Sequence, residues 1–272
     1  DRRASRELLG RLKDRFGAIG SLPAFLGFVP GRIEVLGWHT DYRAEAFQWT
    51  QGVGMVGLGK PPSSSSRASA VSRDGHVVGG FYEHESAGYR RPARWTDGGP
   101  VDLIMGPDDP GEVSGVSSDG TYLTGEWVPP GDVSPDAFLY SDAGGAIQIL
   151  SVLPNPSHRT YGNAVSDSGV VVGWSGDQSV GAVEAGIWFP GDARMRSLAD
   201  FVTARGGTIP AGWVLGSAIG ISPDGTAVVG QAINSSTFAY GAFIIRMPEI
   251  IFDSGFEFGG FEGWSSVVGL VE

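Results

Sequence analysis

The sequence predicts a mostly β protein: a tandem array of four to five antiparallel, blade-like units of two to four strands, β-propeller-like, preceded by one short helix. Three observations predict it. A phrase with a turn between two apolar runs recurs as AVSRDGHVVGG from Ala70, GVSSDGTYLTG from Gly115, AVSDSGVVVGW from Ala164 and GISPDGTAVVG from Gly220. Its serines, Ser72, Ser117, Ser166 and Ser222, lie 45, 49 and 56 residues apart. A second phrase, EAFQWT, RPARWT, DAFLYS, EAGIWF and GAFIIR, carries Trp49, Trp95, Tyr140, Trp188 and Ile245 at steps of 46, 45, 48 and 57. Two landmarks with nearly matching steps of this size signal stacked repeats. The third observation is composition. With 44 Gly and 17 Pro in 272 residues, the chain falls short of the ~25–30 % found in low-complexity sequences, and 41 % hydrophobic residues supply a core. The low unit count leaves ring closure open.

Residues 1–42 form a first segment. Ser5 suits a helix N-cap, Leu8, Leu9, Leu12 and Phe16 share one helical face, and Gly17 suits the C-terminal cap. Gly20, Pro23 and Gly27 break the next stretch, and residues 32–36 read as a strand. Residues 43–248 are the repeat array. In each unit Asp74, Asp119, Ser168 or Asp224 precedes a glycine that supports a tight hairpin turn. The later glycines Gly79, Gly125, Gly173 and Gly230 allow a bulge or close backbone approach. Phe47 and Trp49 alternate onto one face, as do Phe138 and Tyr140. One hairpin cannot bury such a face alone, but a neighbouring unit can. The equivalent aromatic residues Trp49, Trp95, Tyr140 and Trp188 are therefore core rather than a ligand platform. The longest step contains an insertion, residues 195–213, in which Leu198, Phe201 and Val202 fit a short helix. PPSSSSRASA, residues 61–70, has serines but no glycine to wrap phosphate, and is expected to be a surface loop. Residues 249–272 form a tail.

Charge and composition exclude several classes. A net charge of −11 repels nucleic-acid backbones and anionic membranes. The absence of cysteine removes disulfides, thiolate nucleophiles and thiolate metal sites. No run approaches the ~20 apolar residues of a membrane-spanning helix. The histidines His39, His76, His84 and His158 are scattered, so no metal site is expected. Asn234, Ser235 and Ser236 match the glycosylation pattern, without meaning in most bacteria. The chain starts at Asp1 with no apolar leader core, as after removal of a leader or in a piece of a longer frame.

The repeated phrases, closing with GWVLGSAIGISPDGTAVVGQA, resemble the HAF-type extracellular repeat proteins of bacteria over residues 44–248. That resemblance implies a secreted or surface-exposed, propeller-like, non-catalytic module with an unknown surface ligand or protein partner and no cofactor. The tail IFDSGFEFGGFEGWS, residues 251–265, resembles a motif that ends many secreted proteins of gram-negative bacteria, or else is an edge strand. A second resemblance is local. PGRIEVLGWHTDY, residues 30–42, resembles the signature of galactokinases. By that resemblance Arg32 stabilises the transferred phosphoryl group, His39 and Asp41 hold sugar hydroxyls and Tyr42 walls the same pocket, with ATP and Mg²⁺ as cofactors in a cytoplasmic enzyme. Trp38 stands where many members have a sugar-binding Glu, and neither a Gly-rich phosphate loop nor a catalytic aspartate comes after it. Val35 to Trp38 also matches Val171 to Trp174, the end of a repeat hairpin.

Overall fold

A computed structural model describes residues 36–37 and 45–247, apart from 51, 85–87, 100–101, 107, 130, 132–133, 142–145, 151–158 and 178–181. Among these residues the chain forms five antiparallel sheets in sequence order. Blade 1 holds β1 (Leu36–Gly37), β2 (Phe47–Thr50) and β3 (Gly54–Gly57). Blade 2 holds β4 (Ser64–Val71), β5 (Val77–His84), β6 (Arg90–Thr96) and β7 (Asp102–Leu103). Blade 3 holds β8 (Gly111–Val116), β9 (Tyr122–Trp127), β10 (Asp136–Ser141) and β11 (Ala146–Ile149). Blade 4 holds β12 (Arg159–Val165), β13 (Val171–Asp177), β14 (Ala182–Trp188) and β15 (Arg196–Ser197). Helix α1 (Leu198–Ala204) comes next, and blade 5 holds β16 (Trp213–Ile221), β17 (Ala227–Asn234) and β18 (Tyr240–Arg246). Each sheet is a simple antiparallel meander of consecutive strands.

The recurring phrases map onto equivalent places. Ser72, Ser117, Ser166 and Ser222 directly follow the first strand of blades 2 to 5. Each serine Oγ accepts the N–H of Val77, Tyr122, Val170 or Ala227 at 2.9–3.0 Å. The same hydroxyl donates to Asp74 at 2.6 Å and to Asp119 at 2.7 Å, and Ser222 does likewise to Asp224. Those carboxylates in turn accept the N–H of His76, Thr121 and Thr226 at 2.9–3.0 Å. Gly75, Gly120, Gly169 and Gly225 all take φ of +75° to +81°, the left-handed conformation that favours glycine. The turns also bond to one another along the array. Arg73 N donates to Ser118 O (2.8 Å), Asp119 N to Asp167 Oδ1 (3.0 Å) and Asp167 N to Pro223 O (2.8 Å). In the blade 5 turn Ser222 is half-buried, whereas Ser72, Ser117 and Ser166 are buried.

The glycines at the close of the phrase serve a second purpose. The first strands of blades 2 to 5 each carry a bulge. Gly80, Gly125, Gly173 and Gly230 face it, and a Cβ there would lie 1.7–2.2 Å from a carbonyl oxygen of the first strand. In blade 2 the residue in this role is Gly80, one place later than the expected Gly79. Gly79 instead lies against the side chains of Val113 and Val116 in blade 3. Gly37 pairs with Phe47 in the register that pairs Gly80 with Ala93 and Gly125 with Phe138. Leu36–Gly37 thus corresponds in register to the second strand of blades 2 and 3.

The core consists of four interblade layers. Ala46, Leu58, Val78 and Trp95 join blades 1 and 2. Ile104, Met105, Val113, Leu123, Phe138 and Tyr140 join blades 2 and 3. Ala137, Leu139, Val165, Val171 and Trp188 join blades 3 and 4. Val172, Ile187, Phe201, Leu215, Val228 and Phe243 are among those joining blades 4 and 5. Consecutive residues such as Val171 and Val172 therefore serve opposite faces, as the two-residue period of a strand requires. Trp95, Tyr140 and Trp188 are buried as expected, while Trp49 is only half-buried. Helix α1 caps the last layer with Leu198, Phe201 and Val202, and Ser197 Oγ accepts Asp200 N at its start.

Residues 64–70 correct one expectation. They belong to the first strand of blade 2 rather than to a surface loop. Ser64, Ser66 and Ala68 alternate onto a buried face, and Ser66 Oγ accepts Ala46 N from blade 1 at 2.9 Å. Small hydroxyl side chains satisfy backbone groups where blades approach too closely for a large apolar residue. The predicted N-terminal helix and the tail, residues 251–265, lie outside the described residues.

Candidate functional site: the end of the array opposite the turns

Arg32, His39, Asp41 and Tyr42 lie outside the described residues. Among the described residues, no three His, Asp or Glu side chains gather as metal ligands, and the turn carboxylates are engaged by their own Ser and backbone partners. The Ser72 hydroxyl and the His76 N–H hold Asp74 below the usual carboxylate range. The same geometry lowers Asp224 through Ser222 and Thr226. At Asp119, burial acts in the opposite sense but the bonds from Ser117 and Thr121 prevail.

The chemically varied residues sit away from the turns. One cross-strand pair occupies the same register in four blades: Arg67 with Phe81, Glu112 with Glu126, Tyr161 with Trp174, and Ser217 with Gln231. Directly opposed side chains on a sheet are about 5 Å apart, so each pair acts as a unit. Arg67 and Arg90 place guanidinium groups 4.8 and 4.5 Å from the Phe81 ring centre and reach Glu112 at 3.5 and 2.7 Å. Glu126 faces Glu112 across the strands and lies among Tyr161, Arg90 and Arg159. Burial raises its carboxyl, the Tyr161 hydroxyl bond opposes this, and the Glu112 charge adds to it. Burial and the bond to Glu126 push Tyr161 up in turn. The Tyr161 ring stacks on Trp174 with centres 4.3 Å apart and planes 12° from parallel.

Trp174 leads into a cleft of about 950 Å³ between blades 4 and 5. Trp174 and Val183 form its blade 4 wall, Ser217 and Gln231 its blade 5 wall, and Phe238 and Tyr240 its rim. Both rim aromatics are open to solvent, Phe238 at 73 % and Tyr240 at 80 % exposure. The loop between β17 and β18 carries Phe238 and leads into Tyr240. Asn234 Oδ1 accepts Ser236 N and Thr237 N at 3.0 Å, Phe238 N donates to Asn234 O at 2.8 Å, and Asn234 N donates to Ala239 O at 2.9 Å. Asn234 is therefore the organiser of this loop. Phe238 takes φ +56°, a left-handed conformation that costs a non-glycine residue about 1–3 kcal/mol and concentrates at ligand sites.

Sequence reading missed this site, although a signal was present. Once the repeats are aligned on their serines, Arg67, Glu112 and Tyr161 stand five places before Ser72, Ser117 and Ser166. Those positions change chemistry from blade to blade while the serine and glycine positions of the turn do not.

No family model matches the chain, and no characterised protein sequence is significantly similar to it. Solved structures share its fold at low identity. An oligogalacturonate lyase in complex with manganese superposes with a TM-score of 0.50 and 14 % identity, over 78 % of this chain and 58 % of that one. TolB from Acinetobacter baumannii gives 0.48 and 12 %, over 80 % of this chain and 50 % of that one. A candidate TolB from Agrobacterium tumefaciens gives 0.47 and 15 %, over 80 % and 78 %. This chain thus spans about half of the Acinetobacter protein and under two thirds of the lyase. The likeness extends to the fold: a mostly antiparallel, β-propeller-like array of blades.

Proposed function

We propose that this protein is a non-catalytic binding module of the HAF-type repeat class, secreted or surface-exposed, with the cleft between blades 4 and 5 as its binding site. One observation carries the reading. Phe238 is held in a strained backbone conformation with its ring in solvent, where it stabilises no core. A backbone fixed in advance loses little freedom when a ligand arrives, so the strain has a use in binding. The acidic surface disfavours nucleic acid as the partner. No helix among the described residues is long and apolar enough to cross a membrane. The register of Leu36–Gly37 supports reading that stretch as part of a blade rather than of a phosphoryl-transfer cleft.

Two measurements test the proposal. Galactose-dependent ADP release from ATP and Mg²⁺ should be absent, and release abolished by Asp41→Asn would overturn the non-catalytic reading. Neutral oligosaccharides, acidic oligosaccharides and an amphipathic peptide should include at least one that raises the wild-type Tm but not that of Tyr240→Ala. Equal shifts in both proteins would remove the cleft as the site.

A further inference from the structure

We infer that the cleft between blades 4 and 5 is a subsite for a neutral carbohydrate chain, which stacks sugar rings on Phe238 and Tyr240 and is oriented by the Gln231 amide. The inference rests on the reading of this cleft as the binding site and names its ligand class. The lining supplies the first argument. Among the described residues the cleft carries no charged side chain, although charged residues crowd the neighbouring interfaces at Arg67, Glu112, Glu126 and Arg159. A cleft without charge offers an ionic ligand no partner to replace its water. The net charge of −11 further opposes an acidic glycan.

The mixture of groups supplies the second. Sugar rings have an apolar C–H face and a rim of hydroxyls. Open aromatic faces match the first, and neutral amides and hydroxyls match the second. The Gln231 side chain makes no hydrogen bond among the described residues and has two donors and an acceptor to offer. Ser235 donates its hydroxyl to Gly212 O at 3.1 Å, which leaves its lone pairs free to accept. A purely hydrocarbon ligand would cover the Gln231 amide and leave it without a hydrogen-bond partner.

Shape supplies the third. About 950 Å³ is at the upper end of small-ligand sites, which run to about 1,000 Å³. Its rim lies open along Phe238 and Tyr240 rather than closing over a ligand. An open trough admits a segment of a long chain, whereas an enclosed pocket admits only a free small molecule. The hydrogen-bonded loop from Asn234 to Ala239 holds the Phe238 backbone before any ligand arrives.

The test is calorimetric titration of the full 272-residue chain. The probes are maltohexaose, cellohexaose, laminarihexaose and xylohexaose, with hexagalacturonate and an amphipathic peptide as the charged and non-carbohydrate counterparts. At least one neutral hexasaccharide should bind, and hexagalacturonate should bind at least tenfold more weakly. Tyr240→Ala should weaken the neutral sugar at least tenfold. Phe238→Gly, which removes the ring while accommodating the left-handed backbone, should do the same with no loss of Tm. Val53→Ala, on the exposed surface of blade 1, should change nothing. A peptide or hexagalacturonate that binds best and is lost in Tyr240→Ala overturns the carbohydrate inference while leaving the cleft as the site. If no probe binds, or if binding survives both variants, the inference and the cleft reading fall together.

Discussion

Trp95→Ala should be among the most damaging single substitutions in this protein, and the repeat symmetry makes the reasoning checkable. Trp95 has no solvent exposure, packs with Val78 and Tyr82 of its own blade and Ala46 and Leu58 of blade 1, and donates its indole N–H to Gly59 O at 3.0 Å. A side chain of this kind buries about 150–250 Å². At about 25 cal/mol per Å² that is about 4–6 kcal/mol, of which alanine retains a part. The expected loss is therefore about 3–5 kcal/mol, in line with large-to-small core changes generally. Trp188→Ala should cost about the same, because Trp188 is equally buried between blades 3 and 4 and bonds Asp192 O at 2.9 Å. Trp49 holds the equivalent place in blade 1 but is half-buried. Its replacement should cost about half as much or less, since the transfer energy scales with area removed from water. Urea unfolding monitored by far-ultraviolet circular dichroism gives all three values. A variant whose midpoint and slope both fall has lost cooperativity between blades, which in repeat arrays weakens at a damaged interface. Trp95→Ala within about 1 kcal/mol of wild type, or Trp49→Ala costing as much as Trp95→Ala, would contradict this dependence on burial.

Two further predictions concern backbone packing and pH. Gly80→Ala should destabilise more than Gly79→Ala, by about 1–3 kcal/mol or more. A Cβ at Gly80 meets the Arg67 carbonyl at 1.9 Å, whereas at Gly79 it meets valine side chains that can shift; a reversed order in thermal unfolding would contradict the register. Glu126 governs a pH window. Burial raises its carboxyl above the ordinary 4.5, so the folded chain holds a proton that the unfolded chain releases. That contribution is complete below about pH 4.5 and is lost as pH rises through the folded pKa. The lowered Asp74, Asp119 and Asp224 act oppositely, contributing above 3.8 and failing as pH falls. Glu126→Gln should flatten the decline in Tm just above pH 4.5 and leave the acid limb unchanged. Superimposable Tm–pH profiles for the two proteins would disprove this.

The class of fold, the repeat and its turns are legible in the amino-acid order, because these depend on local chemistry. Ser-x-Asp-Gly closes its own hairpin through bonds within six residues, and Trp95, Tyr140 and Trp188 fall into a core by repeating at one place in each blade. The helix formed by Leu198–Ala204 was legible from three apolar residues at helical spacing. Features that depend on the neighbouring blade emerge only when the blades pack together. Ser64–Val71 looks like a polar loop until blade 1 is set against it and uses Ser66 as a hydrogen-bond acceptor. Gly79 and Gly80 cannot be told apart in sequence, because the bulge that selects Gly80 is a property of strand pairing. The cleft was least legible of all. Its walls come from Trp174 and Gln231 in different repeats, and Phe238 sits in a loop whose backbone strain is set by Asn234. Short-range patterns encode turns and faces. The sites that join them arise where separate repeats meet, at distances the chain order does not record.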